Sequence, residues 1–248
     1  MLGGMRTAQR KAQEVAEREQ RLLRTALEVV ARDGLHNLTL ARLATEAGYS
    51  KGTIYNHFTC REDLLVALST DSAKRQIQYY QAIADLPWDG VRALYGLMLA
   101  YMRHAETAPE LFESSIAALT NAVGALASPE RLERRDVVDR QMGQVIGAVV
   151  ERTEREGVFK HPVLSPEAAL DALRSAVLGY TVTHLLSRRF QWGAAATDGN
   201  RLVVAASMMH GLGWPRVEAN AASSVQRVVD DLIPVAEEKG RGERLVHG

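Results

Sequence analysis

The chain has 248 residues, 46% of them hydrophobic and 24% charged, which is enough apolar material for a real core and argues against a fibrous or unfolded protein. Its longest apolar stretches, such as residues 145–150, fall far short of the roughly 18 residues that a membrane helix needs, and the N-terminus lacks the apolar centre of a secretory signal. A single cysteine, Cys60, excludes an internal disulfide framework, so the expectation is a cytoplasmic protein with no membrane partner.

The pattern along the chain predicts an all-α protein. Leu23, Ala26, Leu27 and Val30 recur at helical spacing and stop at Gly34; Leu40, Leu43, Ala44 and Ala47 form a short second stripe ended by Gly48. Ser50 reads as the N-cap of a third, short helix carrying Ile54, Tyr55 and Phe58. The run from Thr59 to Glu62 has capping-box spacing and opens a fourth helix through Leu64, Leu65 and Leu68. Pro87 to Gly90 reads as a break between a small head and a larger body. Beyond it, Val91 to Met102 predicts a fifth helix, and Phe112, Ile116, Leu119 and Val123 a sixth. Ser128-Pro129-Glu130 and Ser165-Pro166-Glu167 repeat one start signal, a capping hydroxyl followed by Pro and an acid, and open the seventh and eighth. A ninth runs from about Asp198 to His210, and a last one carries Ala221, Val225, Val228 and Leu232.

Charge is balanced overall, 30 basic against 30 acidic residues, but residues 1–61 hold ten Lys/Arg against six Asp/Glu. A basic head on a mildly acidic body suits a molecule that meets a polyanion with one end. The informative segment is Thr39 to Phe58. Two short helices meet at Ala47-Gly48-Tyr49, where glycine supplies the positive φ of a tight turn. The second helix opens with Ser50, Lys51, Gly52 and Thr53, a small, polar turn whose amides and side chains suit phosphate oxygens, while Ile54 and Phe58 anchor it from below.

These residues resemble the tetracycline-repressor (TetR) family of bacterial regulators. The resemblance rests on Thr39, Ala47-Gly48, the run Ser50-Lys51-Gly52-Thr53-Ile54-Tyr55-Asn56-His57-Phe58 and then Arg61-Glu62-Asp63-Leu64-Leu65; it covers roughly residues 22–68. Tyr49 stands where a smaller aliphatic residue is usual, and Cys60 where serine is common. The resemblance implies that Thr39, Ser50, Lys51, Thr53, Tyr55 and His57 contact DNA phosphates or bases, with Gly52 and Asn56 close to base edges. Charge and position near helix starts add Arg42 and Arg61. Residues 1–20 are expected to be a flexible basic leader whose Arg6, Arg10, Lys11 and Arg18 either reach a minor groove or stay disordered. Residues 21–68 are then the DNA-binding domain, 69–238 a helical effector-binding and dimerisation domain, and 239–248 a disordered tail.

The function implied is a homodimeric transcription regulator, by family default a repressor. It would bind double-stranded, pseudo-palindromic operator DNA through heads about 34–36 Å apart. A small apolar or amphipathic effector would release it, held by Tyr95, Met98, Met102, Phe112, Ile116, Met142, Ile146 and Tyr180. The resemblance favours a dimer seam on the eighth and ninth helices, with Leu173, Val177, Leu185, Leu202, Ala205, Ala206 and Met209 as its candidates; their spacing fits an intramolecular core equally well. No metal-ligand spacing, phosphate-cradling glycine loop or nucleophile elbow is present, so the expectation is no enzyme, no cofactor and no metal. The rivals are a helical protein-binding adaptor and a DNA-binding regulator with no effector.

Overall fold

The structure, a computed structural model, describes residues 2–186 and 198–246, with side chains described over 7–184 and 200–234. Among these residues the chain is helical and contains no strand. Helix α1 spans Leu2–Asp33, so the basic leader is continuous with the stripe Leu22, Leu23, Ala26, Val29 and Val30, all buried. It stops at Gly34, whose φ of 83° is the left-handed conformation that side chains disfavour. A 3-10 turn, Leu35–Asn37, leads to α2, Leu40–Ala47, capped by the Thr39 hydroxyl, which accepts from the Arg42 amide at 3.1 Å. Gly48 (φ 69°) ends α2; a Cβ there would meet nothing within 4 Å, so the backbone conformation is what requires glycine. Helix α3 is only Lys51–Tyr55. Helix α4, Arg61–Ala84, follows.

The cap of α4 differs from the expected Thr59–Glu62 pair. The carboxylate is supplied by Asp63, which accepts from the Thr59 amide at 2.9 Å, the Thr59 hydroxyl at 2.6 Å and the Ser128 amide at 2.7 Å. Asp63 is 1% exposed. Burial pushes its pKa up, but the hydrogen bonds from Thr59 and Ser128 outweigh that and hold the carboxyl below its ordinary value.

Helices α5, Gly90–Thr107; α6, Pro109–Ala118; α7, Asn121–Leu126; and α8, Pro129–Arg155, come next. The single sixth helix expected from sequence is therefore two, because Thr120 interrupts it and caps α7 by accepting from the Val123 amide. Helix α9, Pro166–Thr181, opens as expected, with Ser165 accepting from the Ala168 amide, and runs into a π-helical turn, Val182–Leu186. Helices α10, Asp198–Gly211, and α11, Ala219–Val246, complete the chain; the expected tail is continuous with α11.

Two units result. The first comprises the chain up to Ser72, Glu110–Val137 and the stretch from Arg241; the second comprises Ala73–Pro109 and Val138–Gly240. The division thus falls inside α4, and the first unit is larger than residues 21–68. Its core joins Leu22, Ala26, Leu38, Leu43, Ile54, Phe58 and Leu64, none measurably exposed, and extends through Leu65 and Val66 to Val123 and Ala127. The second unit packs Tyr79, Leu94, Tyr95, Ala100, Val149, Ala169, Ala205, Met209 and Trp214 into one cluster. The Pro87–Gly90 stretch is interior to that unit and is no boundary. Arg152 donates to the carbonyls of Trp88 (2.9 Å) and Ala84 (2.8 Å), and a Cβ on Gly90 would lie 2.7 Å from the Thr153 backbone nitrogen.

Candidate nucleic-acid interface

The first unit presents a short helix on a rigid support. Ile54 and Phe58, four residues apart, are fully buried, each stabilising by about 1.5–3 kcal/mol and fixing which face of α3 looks outward. Ser50, Lys51, Gly52, Tyr55 and Asn56 are exposed, Tyr55 to 54%. Thr53 is half-buried. Its amide donates to the Ser50 hydroxyl at 3.1 Å, and the two hydroxyls lie 2.9 Å apart. The amides of Lys51 and Gly52 precede the first carbonyl that α3 can reach and so stay open at its tip.

Gly52 is not explained by the protein's own packing. Its φ is not positive, and a Cβ built on it would meet only the Ser50 hydroxyl oxygen, at 3.9 Å. Inside a helix glycine costs about 0.5–1 kcal/mol relative to alanine, so the fold alone would favour alanine here. What glycine leaves at this position is bare backbone on the exposed side of the helix.

Other expected contacts are placed differently. Thr39 is exposed, yet its hydroxyl caps α2. The Arg42 guanidinium lies 2.6 Å from Asp33 and 3.8 Å from Glu46, and Arg32 joins the same cluster at 2.6 Å from Glu46, so its charge is already balanced. Arg61 points inward and donates to the carbonyls of Leu38 (2.8 Å) and Leu35 (2.9 Å), tying α4 to the turn before α2. His57, expected to face outward, is turned inward. Its side chain is 4% exposed and its Nδ1 sits 3.6 Å from Glu19, because α3 ends at Tyr55 and the chain turns inward after Asn56. Arg18 of the leader lies over the Tyr49 ring at 6.0 Å, and Arg10 lies 3.5 Å from Glu14, both within α1; the side chain of Arg6 lies outside the described residues. Tyr49 is thereby accommodated by stacking under a cation.

Two residues that the sequence reading missed complete the support. Arg131, at the start of α8, donates to both carboxylate oxygens of Glu19 (2.5 and 2.8 Å) and to the His57 carbonyl (2.6 Å), and lies 5.0 Å over the Phe58 ring. No spacing signal links these positions, since 74 residues separate Arg131 from His57.

In the second unit, Tyr95, Met98 and Met102 are buried, with Met142, Ile146 and Tyr180 packed against the same cluster. Phe112 and Ile116 are carried by α6 and belong to the first unit. The region is also more charged than its apolar stripes suggest. Arg201, 6% exposed, pairs with Glu106, and Arg103 lies 3.3 Å from Glu106 and 3.2 Å from Asp230. The expected dimer residues Leu173, Val177, Ala205, Ala206 and Met209 are buried within the chain itself, with Leu202 packed against them. They are core, because the α9 and α10 stripes face α5 and each other. The side chain of Leu185 lies outside the described residues.

The comparisons with known proteins agree with this geometry. Residues 22–68 match the family model for bacterial regulatory proteins, tetR family. Over 47 residues the chain is 38% identical to the fatty acid metabolism regulator protein of Bacillus subtilis, a match that spans 19% of this chain and 24% of that protein. Two solved structures share the fold across most of the chain. RolR in complex with resorcinol is 20% identical with a TM-score of 0.59, covering 87% of this chain and 96% of RolR. FadR from Bacillus subtilis, in complex with stearoyl-CoA, is 16% identical with a TM-score of 0.59, covering 78% and 97%. Residues 22–68 thus match the N-terminal domain of bacterial regulatory proteins of the tetR family, and the chain spans only about a quarter of the length of the Bacillus subtilis regulator it matches there.

Proposed function

We propose that the chain is a homodimeric, DNA-binding transcription regulator, a repressor released from its operator by a small apolar or amphipathic effector. The observation that carries the DNA-binding part is Gly52: a residue that weakens its own helix, exposed between Lys51 and an exposed Tyr55, on an element held rigidly from beneath. Ser50, Lys51, Gly52, Tyr55 and Asn56 then face the duplex, and Thr39 and Thr53 contribute through the caps that set the two helices. The matched family domain supports the same reading.

A single head of this size buries too little surface for tight, specific binding, so two must act together on a pseudo-palindromic, double-stranded site. The outward faces of α9 and α10 suit pairing with a second copy: Ser175 and Gly179 on one, Val203, Ser207 and Gly211 on the other are exposed, and Val203 is 59% exposed. The effector reading draws on the aromatic and methionine side chains of the second unit and on the small molecules held by RolR and FadR. Among the described residues, no helix is long and apolar enough to cross a membrane, and no group of acids, histidines and cysteines could hold a metal ion.

The test is a titration of the full-length protein with the duplex upstream of its own gene at several salt concentrations. A regulator gives a steep loss of affinity with salt, and Lys51→Ala lowers the slope of log K against log salt by about 0.9, one phosphate contact. Binding that ignores salt, or that Lys51→Ala leaves untouched, sinks the assignment and favours the protein-binding adaptor.

A further inference from the structure

Helix α3 has five residues and cannot fix its own direction through length. Its aim depends on what holds its two ends. The N-terminal end is held by the Ser50 cap and by Ile54 beneath it. The C-terminal end passes into Asn56, His57 and Phe58, and there one guanidinium from outside the helix-turn-helix touches both His57 and Phe58. Arg131 grips Glu19 of α1 with two parallel hydrogen bonds, donates from the same Nη2 to the His57 carbonyl, and covers the Phe58 ring. The imidazole of His57 rests against Glu19 at 3.6 Å. The Arg131 side chain is 10% exposed and that of Glu19 18%, so both are largely shielded from water. For Glu19, burial pushes the pKa up, but the hydrogen bonds and charge of Arg131 outweigh it and hold the carboxyl below its ordinary value. For Arg131, burial acts to lower the pKa and Glu19 more than offsets it. The pair is therefore ionised, and its fork geometry is one that a lysine cannot copy.

We propose that Arg131 is a positioning residue for operator recognition: it sets the exit angle of α3, and with it the aim of Lys51 and Tyr55, from far outside residues 22–68. The role rests on the DNA-binding reading above. Arg131 is too shielded to take a phosphate itself, and its effect passes through the His57 carbonyl and the Phe58 ring. A small tilt of α3 displaces the two outward side chains from base edges while leaving them close to the backbone. Loss of the clamp therefore removes preference for one sequence, and leaves general attraction to DNA.

Full-length Arg131→Lys is compared with wild type on two duplexes of equal length, the gene's upstream fragment and a scrambled control, by fluorescence anisotropy across salt concentrations. The expected result is a loss of about tenfold or more in affinity for the upstream fragment, the same affinity for the control, and an unchanged salt slope. A merely structural role would instead lower the melting temperature and weaken both duplexes alike. Glu19→Gln, which keeps an acceptor for Arg131 but removes the charge, should lose preference in the same direction and carries the test if the lysine variant does not fold. Amide and imidazole NMR signals of residues 51–58 should shift in both variants without general change elsewhere. Wild-type preference in both variants overturns the proposal, as does a reduced salt slope, which would make Arg131 a phosphate contact. A wild-type protein with no salt-dependent preference for the upstream fragment overturns the regulator reading itself, and the positioning role with it.

Discussion

Gly52 and Lys51 separate stability from binding at neighbouring positions. Gly52→Ala adds a Cβ into open space, so the melting temperature should stay level or rise, with about 0.5–1 kcal/mol gained from the helix preference of alanine. DNA affinity should fall nonetheless, by about tenfold, because the methyl group stands where the duplex backbone approaches. Calorimetry alongside anisotropy checks both halves; a variant that binds as tightly as wild type would mean that Gly52 faces nothing. Gly48→Ala should behave in the opposite way. The left-handed turn opposes any side chain, so stability falls by about 1–2 kcal/mol and binding follows the fold. The sequence signalled both glycines, but only their surroundings distinguish a glycine required by its own backbone from one required by a visitor.

The helix ends carry the pH dependence of the first unit. Asp63 and Glu19 both have folded pKa values below their ordinary values of 3.8 and 4.5. A depressed carboxyl contributes stability that is present above its unfolded pKa and is lost as pH falls through its folded one. Unfolding free energy should therefore be insensitive to these groups at neutral pH, begin to fall near pH 4.5 and continue falling at more acid pH. Asp63→Asn and Glu19→Gln should each flatten that acid limb in chemical denaturation. Asp63→Ala should also cost about 1–3 kcal/mol at pH 7, since it leaves the part-buried amides of Thr59 and Ser128 without their acceptor. Capping residues showed in the sequence as short-range patterns at Ser50 and Ser165, and both cap as expected, accepting from the Thr53 and Ala168 amides. Asp63 escaped because one of its two partner residues, Ser128, lies 65 residues away, beyond the reach of any local spacing rule.

Across the assembly, the proposed dimer turns on which side of α9 and α10 meets the partner. Val203→Glu should leave the helical content unchanged and convert the dimer to monomer in sedimentation, because Val203 is exposed on the free chain. Leu173→Ala should do the reverse, with about 2–5 kcal/mol lost from a closed core and the oligomeric state unchanged under folding conditions. A monomer from Leu173→Ala, or an undisturbed dimer from Val203→Glu, would restore the buried stripe as the seam. The helical class, most helix starts and the α2–α3 corner follow from the chain's local chemistry: apolar period, capping hydroxyls and positive-φ glycines act over three to seven residues. Folding in three dimensions settled the rest. It turned His57 and Arg61 inward, drew Arg42 into an ion-pair cluster, moved α6 into the first unit and brought Arg131 against Glu19 and His57. An apolar or charged residue advertises that it needs a partner, but which partner it finds depends on contacts between segments far apart in the chain, and periodicity carries no record of those.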